Sequence, residues 1–297
     1  MSEWLLLLSM YAALGAVVGL LAGMLGIGGG FAIVPALMLI FGMQGMDKNM
    51  STQLAVATSL ATILATSLSS ARAHHQHQSV DWPLFVRMVP SLLLGSLGGA
   101  GLSSFFSGST VRIVFGLLNI FMALQVAFGR PPQHVRVLPG FWGLSLGGAF
   151  IGLLSGMVGI GGGSLLVAGF LFYGLSMRHS VGTSAACTLP IALAGALGHL
   201  VAGLGDVGLP PGTLGYIHLQ AALGISLGSA LTAPLGAWLA HRLPVVTLKR
   251  FFALFLLGLG LKLLWDNLLG PWLCESRNVF GEYVHLKVHL IAGFFVS

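Results

Sequence analysis

Gly19-Leu20-Leu21-Ala22-Gly23-Met24-Leu25-Gly26-Ile27-Gly28-Gly29-Gly30 returns later in the chain as Gly152-Leu153-Leu154-Ser155-Gly156-Met157-Val158-Gly159-Ile160-Gly161-Gly162-Gly163. The offset is 152 − 19 = 133, and ten of the twelve positions are identical. Chance does not produce such a match, and an internal repeat decides the architecture before any single element does. Ala57-Thr58-Ser59 also aligns with Gly182-Thr183-Ser184 at an offset of 125, and the same offset carries His74 onto His199. The two halves share an order of features as well as a motif.

Outward from the repeat, apolar stretches run over about 4–25, 31–41, 50–71, 82–106 and 111–128, then 138–158, 164–175, 180–204, 216–240 and 245–265. A helix needs about 20 apolar residues to cross a bilayer. Eight stretches qualify, while the second and seventh are half-helices or re-entrant pieces that start at the glycine strings. The prediction is an all-α membrane protein made of two homologous repeats of about five segments each. The first covers 1–130 and the second 131–268; a tail at 269–297 has no counterpart and reads as a surface-lying segment or a foreign extension.

Composition requires the same solvent. Of 297 residues 56% are hydrophobic and 7% charged, with mean hydropathy +0.95, against roughly 25% charged in a soluble domain. The 44 glycines fit helices that approach one another closely. The net charge of +6 comes from cations scattered at the ends of apolar runs, so nucleic-acid binding is excluded and the lipid bilayer is the first partner. Cys187 and Cys274 show no paired spacing and read as small buried residues. The start, Met1-Ser2-Glu3, carries no basic region before the first apolar run, which is expected to be kept as the first span.

Five segments per half is an odd number, so the second repeat should enter the membrane from the opposite side. Loop charge tests this: one face collects Arg72, Arg87, Arg130, Arg136, Arg178, Arg242, Lys249 and Arg250, the other only Lys48, Arg112 and Lys262 before the tail. The positive-inside rule makes the first face cytoplasmic and the N-terminus periplasmic, in a bacterial inner membrane. Treating each glycine string as one broken span would instead give parallel repeats with a weaker charge contrast.

The candidate chemistry centres on Gly28, Gly29 and Gly30, with Gly161, Gly162 and Gly163. Packing motifs space their glycines four apart, whereas these are contiguous. Contiguous glycine breaks a helix and bares backbone N–H groups at the positive end of a half-helix, a site for an anion that needs no buried lysine or arginine. Such backbone is tolerated at membrane depth only where it lines a cavity or is buried in protein. Thr58, Ser59, Thr183 and Ser184 add hydroxyls at repeat-related positions, although Ser and Thr in membrane helices commonly bond a carbonyl one turn back. His199, in an apolar segment, and His74, which opens a polar run read as reaching cytoplasmic water, are the candidate proton-coupling residues.

The histidine cluster at 74–77 has no accompanying carboxylate or cysteine, so no metal is assigned, and no cofactor. The glycine string lacks the Lys-Ser/Thr of a phosphate-binding loop, and neither H-E-x-x-H nor G-x-S-x-G occurs. An enzyme is not expected.

The duplicated Leu25-Gly26-Ile27-Gly28-Gly29-Gly30 and Val158-Gly159-Ile160-Gly161-Gly162-Gly163, with Ala57-Thr58-Ser59 and Gly182-Thr183-Ser184, resemble the TauE/SafE family of sulfite and organosulfonate exporters. Gly215-Tyr216-Ile217-His218-Leu219, Pro234-Leu235-Gly236-Ala237 and His241-Arg242-Leu243 are similar to the closing pattern of that family. The resemblance covers about 4–265. It implies secondary transport, usually outward, of a small anionic substrate: sulfite, a sulfonate or a carboxylate. Alternating access of the two halves, with or without proton coupling, is the expected mechanism. The alternatives are a membrane assembly subunit that transports nothing, and an anion channel; a homodimer is open.

Overall fold

The computed structural model describes residues 2–25, 29–128, 138–206, 208–240 and 245–269. Gly28, Arg130, Arg136, Arg242, Cys274 and the tail beyond 269 lie outside the described residues. Among those described there are ten α-helices: α1 (Ser2–Leu25), α2 (Gly30–Met43), α3 (Lys48–Gln76), α4 (Trp82–Ser103), α5 (Gly108–Phe128), α6 (Phe141–Val158), α7 (Gly163–Phe172), α8 (Met177–Gly203), α9 (Leu219–Ala240) and α10 (Val245–Leu264). A π-helical turn, Trp265–Leu269, follows α10. The protein is an all-α membrane protein.

Seven of these helices (α1, α3, α4, α5, α6, α8 and α9) are long and apolar enough to cross a membrane, and α2 and α7 are the short apolar pair. Helix α10, expected as an eighth span, has the length but carries Lys249, Arg250 and Lys262 in its 20 residues. Among the described residues, the strand structure is a two-residue antiparallel pair, β1 (Thr213–Leu214) with β2 (Ile217–His218), which the apolar stretch at 216–240 did not suggest. Gly215, at φ 53, makes its turn.

Helices α3 and α8 form the centre. Of their most apolar stretches 67% and 61% is buried, against 28–39% for the other five spans. The outer helices instead present Leu94, Leu97, Phe150, Leu223, Leu227 and Leu231 outward, as expected where hydrocarbon is the solvent.

Contacts between the halves come in exchanged pairs. Helix α1 packs along α9, and α6 along α4. A Cβ on Gly99 in α4 would lie 2.0 Å from the Leu153 carbonyl oxygen and 2.9 Å from the Met157 nitrogen of α6. On Gly236 in α9 it would lie 2.1 Å from the Leu20 carbonyl oxygen and 3.0 Å from the Met24 nitrogen of α1, the same three positions with the halves swapped. Only glycine lets backbones approach this closely. A contact that repeats with partners exchanged is what a two-fold relation between the halves would produce. Repeat mates also run antiparallel where they meet. In α5 and α10, Gly116 faces Gly260 and Leu264 while Gly260 also reaches back to Asn119 and Ile120. In α8 and α3, the start of α8 meets the end of α3 through Arg178, whose Nε donates to Ser79 Oγ at 3.0 Å and whose terminal nitrogen donates to the His77 carbonyl.

Candidate functional site

Each short helix starts at a glycine in left-handed backbone. Gly29, the residue before α2, has φ 81, and Gly162, before α7, has φ 71, with Gly159 and Gly161 also at positive φ. Side chains beyond Cα disfavour this region, so the contiguous glycines are what permit one helix to stop and the next to begin within a few residues. The leading N–H groups of α2 and α7 have no carbonyl one helical turn back, as at any helix start, and in α2 the Ala32 N–H turns to the Gly29 carbonyl at 3.0 Å.

The two breaks meet. A Cβ on Gly30 would lie 2.5 Å from the Gly159 carbonyl oxygen and 2.7 Å from that of Ile160, so the start of α2 is pressed against the backbone of the second break. Around that second break Val56 approaches Gly159, Ile63 and Thr188 flank Gly161, and Ile151, Ser155 and Ile191 surround Gly162. The break is therefore held between α3 of the first half and α6 and α8 of the second. Gly29 has Val18, Ala22 and Ile33 around it, a wholly apolar surround.

The four hydroxyl candidates are all buried and all engaged within the protein. Ser59 Oγ donates to the Gly159 carbonyl at 2.9 Å, tying α3 to the second break, and Ser184 Oγ donates to Val181 one turn back at 2.9 Å. Thr58 Oγ1 accepts from the His218 N–H and Thr183 Oγ1 from the Asp81 N–H, both at 2.9 Å. These two bonds are one contact with the halves exchanged: Asp81 immediately precedes α4 and His218 immediately precedes α9. The match extends to capping, because Asp81 Oδ1 accepts from the Leu84 N–H and His218 Nδ1 from the Ala221 N–H, each three residues on.

His199 is fully buried on α8, and its Nε2 lies 3.0 Å from the Gly156 carbonyl oxygen. A carbonyl only accepts, so Nε2 carries the hydrogen and the neutral ring presents a bare lone pair at Nδ1. Among the described residues Nδ1 has no hydrogen-bond partner. His74 does not reach water: α3 continues to Gln76, and Ser67, Ser70 and His74, spaced three and four apart, turn inward together. The expectation of a solvated His74 came from ending the helix at the last apolar residue instead of at its own cap.

Sequence reasoning passed over His218, Ser155 and Ser164. Ser155 and Ser164 are buried, and their hydroxyls have no partner among the described residues. A signal was present: in the twelve-residue repeat the two mismatches are Ala22 against Ser155 and Leu25 against Val158, and the next position pairs Phe31 with Ser164.

The family model for the sulfite exporter TauE/SafE matches residues 11–263. A Haemophilus influenzae protein named "Probable membrane transporter protein" is 34% identical over 255 residues, covering 84% of this chain and 95% of its own length. Proteins with similar names from Bacillus subtilis and Methanocaldococcus jannaschii are each 26% identical, the first over 86% of this chain and 96% of its own length, the second over 78% and 84%. No solved structure matches. With this match spanning both glycine breaks and every candidate residue, the chain belongs to the TauE/SafE sulfite exporter family and is a multi-pass membrane transporter.

Proposed function

We propose that the protein is a secondary transporter that exports a small anion, sulfite or an organosulfonate, across a bacterial inner membrane by alternating access. The observation that carries the reading is the meeting of the two glycine breaks, with Gly30 against the Gly159–Ile160 backbone. Two half-helices start there, their leading N–H groups without a carbonyl one helical turn back, and among the described residues no Lys, Arg, Asp or Glu is buried. An anion is the ligand such donors favour.

The antiparallel packing of α5 with α10 and of α3 with α8 supports repeats at 1–130 and 131–268 related by an axis in the membrane plane. That arrangement places the broken helices at the repeat interface and lets one half rock against the other. The basic residues Arg72, Arg87 and Arg178 then face the cytoplasm, and the N-terminus the periplasm. Gly28, Gly29, Gly30, Gly161, Gly162 and Gly163 supply the backbone of the site. Thr58, Ser59, Thr183 and Ser184 hold the surrounding helices in register. His199, with its bare Nδ1, is the proton site in this reading, and His74 its repeat mate.

The test is saturable uptake of labelled sulfite and of ethanesulfonate by protein in liposomes, with and without a pH gradient. Uptake is expected, and Gly162→Val should abolish it: valine resists φ 71, and its Cβ would sit 2.7 Å from Ser155 Oγ and Ile191 Cδ1. Uptake that never saturates points to a channel, and no uptake of either anion sinks the reading.

A further inference from the structure

The repeat offers two chances to bind an anion, yet the two breaks are chemically unequal. Most buried hydroxyls among the described residues bond within the fold: Thr62, Ser91, Ser103 and Thr188 each donate to a carbonyl three or four residues back. Ser155 and Ser164 do not, although each is more than nine-tenths buried. Leaving a buried hydroxyl unsatisfied costs stability, so two of them at one place need a reason.

Both stand at the start of α7. Ser155 Oγ lies 2.7 Å from where a Cβ on Gly162, the capping residue, would be, and Ser164 is in the first turn of α7 itself. Ten residues long, α7 has its first-turn N–H groups aimed the same way as any helix start. The corresponding place at the start of α2 has Ala22 for Ser155 and Phe31 for Ser164; both helices close their first turn alike, Ile33 N–H on the Gly29 carbonyl at 3.2 Å and Leu166 N–H on that of Gly162 at 3.0 Å, but in α2 the Ala32 N–H also turns to the Gly29 carbonyl, at 3.0 Å. Ser70 Oγ also lacks a partner among the described residues, but it sits near the far end of α3, away from either break.

We propose that the protein has one oxyanion site per chain, built by the second half alone from the N-terminus of α7 and the hydroxyls of Ser155 and Ser164. The first break contributes shape and apolar contact, not a second anion site. The ligand class is an oxyanion with at least two acceptor oxygens in reach of neutral donors, since no Lys or Arg is buried among the described residues. This rests on the anion-transport reading above and places its ligand on one side of the two-fold.

The probes are sulfite and ethanesulfonate, titrated into the full-length protein in detergent, with Ser155→Ala, Ser164→Ala and Ala22→Ser alongside. The expected stoichiometry is one anion per chain. A hydrogen bond to a charged group contributes enough that each serine variant should bind about 10- to 100-fold more weakly. The same variants should melt, without ligand, no lower than the parent, because a hydroxyl without a partner is removed; a structural serine would do the opposite. Ala22→Ser should leave affinity unchanged. Two anions per chain, or serine variants that bind normally and melt lower, overturn the one-site assignment while leaving anion transport intact. If neither probe binds the parent protein, the transport reading falls and this site with it.

Discussion

Replacing Gly30 by alanine tests the meeting of the two breaks without touching backbone strain, because Gly30 lies in ordinary helical conformation, unlike Gly29. The new methyl would stand 2.5 Å from the Gly159 carbonyl oxygen, where ordinary contact begins at 3.4 Å, so the shortfall is 3.4 − 2.5 = 0.9 Å. The Ile160 oxygen and carbon, at 2.7 and 2.8 Å, are also backbone, so no rotamer change relieves the clash. Either α2 or the second break must shift. Overpacking of this kind costs about 1–3 kcal/mol. Alanine recovers at most about 1 kcal/mol of helix propensity, and less at a first helical residue. Gly42 supplies the control: it lies in the last turn of the same helix, and a Cβ added there would meet no described atom within 4 Å, so Gly42→Ala should gain about 0.5–1 kcal/mol. The two variants should differ by about 2 kcal/mol in reversible denaturant unfolding in detergent, and Gly30→Ala alone should lose sulfite uptake in liposomes. If both shift stability by the same amount and both transport, the breaks do not press on each other and the reading that rests on their meeting is lost.

Thr58→Val strands the buried N–H of His218 and Thr183→Val the half-buried N–H of Asp81, so the first should cost about 1–3 kcal/mol in the same unfolding assay and the second toward the low end of that range; no cost in either would show that these bonds do not hold the helices in register. Burial holds the His218 imidazole below its ordinary value of 6.5, and its Nδ1 must stay unprotonated to cap α9. The unfolded chain therefore takes up a proton at a pH where the folded chain resists it. The resulting stability is complete above pH 6.5 and declines as pH falls toward and through the folded value. His218→Asn, which keeps a capping side chain without titrating, should flatten the dependence of melting temperature on pH, and an unchanged slope would assign it to other groups. For the proposed coupling, a proton at His199 Nδ1 and a bound anion favour one another, so the affinity for ethanesulfonate, which keeps one charge throughout, should rise in the parent as pH falls while His199→Gln should be flat. Coincident profiles would make His199 a structural residue.

Most of the fold was legible because its signals are long. The apolar stretches begin and end within about five residues of the helices, since hydrocarbon thickness and hydropathy leave little choice of length. The β1–β2 pair was not, because two residues of strand carry no periodicity, and the stretch from Tyr216 reads as apolar either way. His74 was misplaced for a related reason: polar Ser70, His74 and Gln76 look like an exit from the membrane, yet their spacing turns the first two inward. At the site, the glycines announced the breaks and the repeat announced Thr58 and Thr183. What these hydroxyls bond to depends on which loop folds over them, and no local pattern encodes that. Ser155 and Ser164 are the instructive omission, since similarity between the halves drew notice where their difference leaves two buried hydroxyls without a partner among the described residues.

Two identical halves exchanged by a two-fold would make the outward-open and inward-open forms of a carrier equal in free energy by symmetry alone. The connections here are not identical. The link from α3 to α4 spans residues 77–81 and is fastened to the start of α8 by Arg178 and by the Asp81–Thr183 bond, whereas the link from α8 to α9 spans 204–218 and folds into the β pair. Each departure tilts the balance between the two forms, and about 1.4 kcal/mol of tilt is already a tenfold preference. In the alternating-access reading proposed above, the balance of the empty carrier would therefore depend on link length and on Arg178 as well as on the glycine breaks.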